Sequence, residues 1–90
     1  MYEIVFSDDA LRDAAYLRKT EPAAYRKLES LLLELMIDPR YGTGQIELMK
    51  YGLRGHYSRR ITKKHRLVYT IKDDALIVNI VSTLGHYDNK

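Results

Sequence analysis

The segment from residue 58 to residue 69, SRRITKKHRLVY, concentrates cationic side chains between residues that favour strands. Six of its twelve positions are arginine, lysine or histidine, and none is a carboxylate. Positive charge concentrated in this way attracts a polyanion such as nucleic acid. The same composition is also typical of a solvated hairpin that avoids edge-to-edge aggregation. The segment therefore predicts a basic surface, and other residues must indicate what that surface binds.

Cleavage of RNA through its 2′-hydroxyl would need three groups. A base takes the hydroxyl proton, a cation stabilises the pentavalent phosphorane, and an acid protonates the departing 5′-oxygen. Glu47 is a candidate base, because it is the only carboxylate between Asp38 and Asp73. Arg66 is a candidate cation that stays charged at working pH. His86, one of three histidines, follows the last predicted strand, and spacing alone does not decide whether it donates or accepts a proton.

Simpler interpretations of these residues remain open. Glu47 could pair with Lys50 on the surface, which would contribute little to stability. His86 could be an exposed residue of a polar tail, and Tyr87 beside it could be a packing residue. The sequence argues against metal catalysis, because its acidic residues are dispersed and no two histidines are three or four positions apart.

Composition limits the class of protein. The 90-residue chain fits one domain, and its apolar fraction of 46% is typical of a globular protein. Residues 1–52 carry seven basic and nine acidic side chains, whereas residues 53–90 carry eight basic and three acidic ones. There is no cysteine, which excludes disulfides and thiolate metal sites. Neither a signal peptide nor a membrane-spanning stretch is recognisable, so we expect a cytoplasmic protein without a membrane partner.

The elements that must position these residues can be predicted from periodicity and turn chemistry. Residues 2–6 read as a strand, and Ser7 as the N-cap of a helix that ends near Lys19. Thr20 is expected to cap a second helix, which ends near Ile37 because Asp38 precedes a proline. Residues 40–52 contain three glycines without a clear period and predict a long, functional connection.

Three further strands are expected, at about 54–61, 66–72 and 75–82, with the apolar last one central and covered on both faces. This order predicts an α+β fold, in which an antiparallel helical hairpin packs on one face of a mostly antiparallel four-stranded sheet. Strand alternation directs Arg66 to the face without helices, together with one of the two adjacent arginines. The turn residues 63–65, two lysines and a histidine, are expected to be solvated or in contact with phosphate.

Nearly the whole chain resembles one toxin family. The stretches GTGQIELMK, LRGHYSRRITKKHRLVY and a terminal HY are similar to the hallmark motifs of the YoeB/Txe branch of the RelE-type toxins. That resemblance implies a single toxin domain over residues 1–90 with a fold like that of microbial RNases. It also implies a ribosome-dependent mRNA endonuclease that cuts the A-site codon without metal or cofactor and thereby inhibits translation.

The resemblance assigns roles to individual residues. It implies that Glu47 is the general base, that Arg66 stabilises the transition state and that His86 is the general acid. Tyr87 would position or stack the substrate. Three further residues are expected to contact phosphate or ribosomal RNA: Lys50, Arg59 and Arg60.

Partners follow from the same resemblance. A free toxin would harm its host, so we expect an antitoxin of the Phd/YefM type, whose disordered acidic segment folds over the basic face. The pair would bind operator DNA through the antitoxin, and a homodimer and a monomer are both compatible with the sequence. Two alternatives are a binding module of this fold that does not cut RNA and a gyrase-poisoning toxin of the related ParE branch. The intact motifs favour the RNA-cutting branch.

Overall fold

The computed structural model describes residues 1–50 and 54–84 of the chain. In chain order the elements are β1 (Glu3–Phe6), α1 (Asp8–Thr20), α2 (Pro22–Ile37), β2 (Glu47–Leu48), β3 (Tyr57–Arg60), β4 (Arg66–Lys72) and β5 (Ile77–Ser82). A short 3-10 turn, Asp73–Ala75, joins β4 to β5. The predicted α+β class and the helical hairpin are confirmed.

Local chemistry explains where the first helix begins and ends. The hydroxyl oxygen of Ser7 accepts a hydrogen bond of 3.0 Å from the backbone N–H of Ala10, as an N-cap should. The predicted second cap at Thr20 is wrong, because Thr20 is the last residue of α1 and its hydroxyl donates to the carbonyl of Tyr16. Glu21 instead stands between the two helices, and its side chain makes no capping bond.

The helical hairpin buries one face against the sheet. Helix α2 ends at Ile37, as predicted, and turns its apolar stripe inward. The fully buried core side chains of α2 and of the two strands beneath it are Leu28, Leu31, Leu35, Leu67, Tyr69, Val78 and Ile80. Burial of each such aliphatic side chain stabilises the fold by roughly 1.5–3 kcal/mol. We call the side of the sheet that they occupy the helix face.

The sheet has five strands in the order β1-β5-β4-β3-β2, so the predicted count of four is wrong. The additional strand, β2, consists of two residues inside the predicted loop, too short for an alternating pattern to reveal. Strand β1 pairs in parallel with β5 and the other pairs are antiparallel, which agrees with a mostly antiparallel sheet. Strand β5 is an interior strand, yet its residues alternate between buried and half-buried, so it is less covered than predicted.

Candidate functional site

Strand pairing places Glu47 in a row of residues that lie opposite one another across the sheet. Strand β2 pairs with β3 so that Glu47 lies opposite Ser58, which in turn lies opposite Val68 of β4. Directly opposed residues of antiparallel strands share a face. Since the flanking Leu67 and Tyr69 belong to the core under the helices, this row lies on the other side of the sheet. We call that side, which faces away from the two helices, the open face, although Ser58 and Val68 on it are buried.

Arg66 also lies on the open face, beside Glu47. Its Nη2 atom is 3.6 Å from Oε1 of Glu47, an ion-pair distance. Its Nε donates to the hydroxyl of Ser58 at 3.0 Å, and Nη2 donates to the carbonyl of Gln45 at 3.2 Å. Within residues 1–50 and 54–84, Nη1 has no hydrogen-bond partner, so part of the guanidinium fork remains for an anion. The Arg66 side chain is 15% exposed and that of Glu47 is 68% exposed.

The last strand reaches the same row. A register shift between Val68 and Tyr69 places Ser82 of β5 opposite Val68. Ser82 is buried, and the described part of the chain ends at Leu84, two positions before His86. His86 and Tyr87 lie outside the described residues, so their predicted roles stay predictions.

The connection between α2 and β2 approaches the sheet closely. Gly42 and Gly44 have positive φ angles of 134° and 95°, which glycine adopts without steric cost. A Cβ atom on Gly42 would overlap the carboxylate of Glu34 and the guanidinium of Arg59. Gln45 has a φ of 50°, the left-handed region, although it is not a glycine. This predicted functional loop therefore follows a tightly constrained path up to Glu47.

Arg59 does not fit its predicted role as a substrate contact. Its side chain is fully buried on the helix face, where Nη1 pairs with Glu34 at 2.8 Å. Its Nε donates to the phenol oxygen of Tyr69 at 3.1 Å, and Nη2 donates to the carbonyl of Tyr41 at 2.8 Å. A guanidinium that is enclosed and satisfied in this way has no N–H group to offer to RNA. Alternation places the two adjacent arginines on opposite faces, and the contacts of Arg59 show that it is the one turned inward.

Arg60 and Lys50 have the exposure that a substrate contact needs. Both are exposed, and Arg60 lies directly opposite Arg66 across the β3–β4 pair. The backbone N–H of Arg60 donates to the carbonyl of Gly44, which ties the loop to the strand. The ion pair of Glu47 is with Arg66 and not with Lys50, so the simple surface pair does not describe this carboxylate.

The three basic residues of the turn between β3 and β4 differ in their exposure. Lys63 and Lys64 are exposed, whereas His65 is only 6% exposed. The Nε2 atom of His65 lies 3.0 Å from the carboxylate of Glu21 at the junction of the two helices. That hydrogen bond, the largest cause, lowers the pKa of Glu21. His65 therefore anchors the turn to the helices, contrary to the expectation that it is solvated or contacts phosphate.

Sequence reasoning missed the groups that hold this site in place. Ser58 is fully buried, and its hydroxyl accepts a hydrogen bond from the Arg66 guanidinium. A serine in a strand does not by itself indicate such a role. Glu34 accepts hydrogen bonds from the backbone and the hydroxyl of Thr43, both at 2.8 Å. Its position in the apolar run LLLELMI was the available signal, because a carboxylate among leucines usually has a partner.

Residues 1–50 and 54–84 offer neither a metal cluster nor a membrane span. Across these ranges, no group of three or more histidine, cysteine or acidic side chains lies close enough to hold a metal ion. Neither helix in the described part of the chain has the length and hydrophobicity needed to cross a membrane.

Comparison with known proteins identifies the family. The sequence model of the "YoeB-like toxin of bacterial type II toxin-antitoxin system" matches residues 6–87. The Toxin YoeB of Escherichia coli K12 is 34% identical over 76 residues, which cover 84% of this chain and 90% of that protein. The Toxin YoeB of Synechocystis is 34% identical over 85 residues, covering 94% and 96% of the two chains.

Solved structures agree with the sequence comparison. A YoeB/ParE toxin from Agrobacterium tumefaciens superposes with a TM-score of 0.88 at 26% identity, over 94% of this chain and 99% of that one. A YoeB dimer from Staphylococcus aureus gives a TM-score of 0.84 at 36% identity, over 96% and 98% of the two chains. A heterotetrameric YoeB-YefM complex from the same organism gives 0.82 at 35% identity, over 97% and 99%. The chain therefore belongs to the YoeB-like toxins of bacterial type II toxin–antitoxin systems.

Proposed function

We propose that this toxin is a ribosome-dependent endoribonuclease that cuts mRNA at the A-site codon by attack of the 2′-hydroxyl. The observation that carries the proposal is the arrangement of Glu47 and Arg66 on the open face. A carboxylate that is 68% exposed lies 3.6 Å from a guanidinium whose Nη1 has no partner in the described part of the chain. Such a pair can accept a proton and bind a phosphate at the same point.

The proposed reaction assigns one event to each group. Glu47 accepts the proton of the 2′-hydroxyl as the 2′-oxygen attacks phosphorus. Arg66 stabilises the charge that develops on the non-bridging oxygens of the phosphorane, a task for which an always-charged guanidinium, with Nη1 free among the described residues, is suited. His86 donates a proton to the 5′-oxygen as the bond from phosphorus to that oxygen breaks. The products are a 2′,3′-cyclic phosphate and a free 5′-hydroxyl, and no metal ion enters the scheme.

The proposed substrate contacts differ from those expected from the motif alone. Lys50 and Arg60 are exposed and can approach the RNA backbone or ribosomal RNA as cations. Tyr87 would stack on a base beside the scissile phosphate. Arg59 is omitted because it is fully buried.

The proposed partners are the ribosome carrying mRNA and a cognate antitoxin of the Phd/YefM type. Support for the antitoxin comes from the Staphylococcus aureus relative, two of whose structures are YoeB-YefM complexes. The same relative has been solved as a dimer, which makes a homodimer a reasonable proposal for this chain. Contact with operator DNA would be made through the antitoxin, and a substrate on the ribosome implies action in the cytoplasm.

The test is primer extension on a defined mRNA incubated with 70S ribosomes and the purified toxin. We expect a cut within or next to the A-site codon, which fades with His86→Ala and is absent when ribosomes are left out. Intact mRNA in the presence of a toxin that still binds ribosomes would contradict the proposal and favour the non-cleaving binding module. Inhibition of gyrase in a supercoiling assay, with mRNA left intact, would favour the ParE-like alternative.

A further inference from the structure

We propose that the ion pair between the buried Arg59 and the partly exposed Glu34 is a positioning device for the catalytic arginine on the opposite face of the sheet. The pair, which we call the clamp, fixes the path of residues 41–45, and that segment in turn fixes the guanidinium of Arg66. This inference rests on the proposed function and assigns a role to two side chains that the proposed reaction does not use.

Arg59 gathers several acceptors around one guanidinium. Besides Glu34 and Tyr69, it reaches three carbonyl oxygens of the loop region, those of Asp38, Thr43 and Tyr41, at 3.3, 3.4 and 2.8 Å. Its side chain has no exposed surface, so the guanidinium itself is shielded from water. Three points of the loop region are thus held to one rigid position on β3.

The carboxylate of Glu34 completes the clamp. Oε1 of Glu34 receives both the Arg59 guanidinium and the backbone N–H of Thr43, while Oε2 receives the Thr43 hydroxyl. Burial alone would raise the pKa of Glu34, but the hydrogen bonds from Thr43 and the charge of Arg59 outweigh it and leave that pKa below its ordinary value. The carboxylate is therefore held in its charged form, and the absence of a Cβ at Gly42 leaves room for it.

A short series of backbone contacts leads from the clamp to the site. The residue after Thr43 is Gly44, whose carbonyl accepts the N–H of Arg60 on the sheet. Gln45 then adopts a φ of 50° and presents its carbonyl to Nη2 of Arg66 at 3.2 Å. A non-glycine residue keeps such a conformation only where its surroundings hold it. Glu47 follows two positions later, so the clamp determines the placement of both proposed catalytic groups.

A merely structural ion pair would behave differently from a positioning device. Removal of a structural pair lowers the melting temperature and leaves the rate per folded molecule unchanged. Removal of a positioning interaction lowers kcat, because a displacement of about 1 Å can cost roughly 100-fold in rate. A variant that removes one hydroxyl and leaves the ion pair intact can distinguish a structural pair from a positioning device.

The experiment uses Thr43→Val, which removes the hydroxyl bond to Glu34 from an exposed residue. We expect kcat, measured at saturating ribosome-bound mRNA, to fall about tenfold, with KM and melting temperature nearly unchanged. Thr43→Ser restores a hydroxyl and should recover most of the rate. Thr20→Val is the matched control, because it deletes an exposed hydroxyl bond at the end of α1, away from the loop. Glu34→Ala should lower kcat further, by roughly 100-fold.

A second readout does not depend on RNA cleavage. The N–H of Arg60 is bonded to the loop carbonyl of Gly44, so its hydrogen exchange reports the position of the loop. We expect Thr43→Val to speed this exchange while the N–H of Glu3, bonded to Leu76 at the far edge of the sheet, keeps its rate. Unchanged kcat and unchanged Arg60 exchange in Thr43→Val, or an equal loss of kcat in Thr20→Val, would overturn the inference. A wild-type toxin that cuts nothing would remove the proposed function, and the exchange comparison would still decide whether the clamp holds the loop.

Discussion

Two arginines of the same hairpin, Arg59 and Arg66, carry the same charge on opposite faces of one sheet. Arg59 is fully buried on the helix face, with a carboxylate partner at 2.8 Å and four further acceptors. Arg66 retains 15% exposure on the open face, its ion pair is 3.6 Å long, and its Nη1 has no partner among the described residues. The residue type is identical, and what separates the two side chains is how fully their hydrogen bonds are satisfied.

This difference shows how an arginine that stabilises the fold can be distinguished from one that is available to bind a substrate. A buried guanidinium must be fully paired, because an unpaired buried charge is strongly destabilising. A guanidinium at a phosphate site must instead keep donors free until the substrate arrives. The helix face follows the first rule and the open face follows the second. Substitution of Arg59 should therefore lower stability, in addition to the loss of positioning proposed above, whereas substitution of Arg66 should lower the rate of cleavage and leave stability nearly unchanged.

The largest expected effect is on the rate of RNA cleavage. Arg66→Ala or Glu47→Ala should lower cleavage on the ribosome by roughly 10²–10⁴-fold, because each removes a group that acts on the reacting atoms. Primer extension over a time course measures the rates, and circular dichroism checks that the fold is retained. Glu29→Ala, an exposed carboxylate of α2, is the matched control and should cut at the wild-type rate. Near-wild-type cleavage by both site variants would contradict the proposed catalytic roles of Glu47 and Arg66.

The next effect is on stability, and it contrasts two neighbouring positions. Arg59→Ala removes a fully buried side chain and leaves Glu34, which is 32% exposed, without its cation. It should lower the free energy of unfolding by about 2–3 kcal/mol, less than the roughly 3–5 kcal/mol for a pair with both members buried. Arg60→Ala removes an exposed side chain and should change it by less than about 0.5 kcal/mol. Urea denaturation of both proteins measures the two values. Equal values would mean that burial does not distinguish the two arginines.

A smaller effect is expected on binding at the β3–β4 turn. Replacing Lys63 and Lys64 with alanine should weaken binding to single-stranded RNA and make it less salt-dependent, by about 0.7 in the logarithmic slope for each phosphate that is no longer neutralised. Fluorescence anisotropy with a labelled oligonucleotide at several salt concentrations measures the slope. Arg18→Ala with Lys19→Ala removes the same charge from α1 and should leave the slope nearly unchanged. An equal decrease in both double variants would show that only net charge matters.

The general architecture could be predicted from sequence because local signals agreed with one another. Ser7 as a cap, the apolar stripe of α2 and the placement of Leu67 and Tyr69 on the core face of β4 each follow from short-range physics, and the structure confirms them. Strand β2 could not be predicted in this way, because a strand of two residues is defined only by its pairing with Tyr57 and Ser58 of β3. The same holds for Gln45, whose left-handed conformation depends on its surroundings.

The candidate site was predictable in part, and for a similar reason. Residue types suggested Glu47 and Arg66, and alternation suggested which face Arg66 would occupy. The burial of Arg59 could not be inferred from its neighbourhood in sequence, since its partner Glu34 lies 25 positions earlier on α2. A motif predicts that two arginines matter, whereas tertiary contacts decide that one of them supports the fold.

The smallest expected effect concerns an exposed pair of acids after β4 and depends on pH. Hydrogen bonds from Arg40, the largest cause, and from Tyr2 lower the pKa of Asp73 from its ordinary value of 3.8, whereas Asp74 beside it has no such partners within the described residues. A carboxyl group whose pKa is lowered by folding stabilises the fold above its unfolded pKa, and that contribution is lost as the pH falls below it. Asp73→Asn should therefore lower the melting temperature slightly at pH 6, and the difference from wild type should shrink below about pH 4. Asp74→Asn should show little difference at either pH, and an equal, pH-independent decrease in both variants would mean that the pair with Arg40 contributes nothing specific.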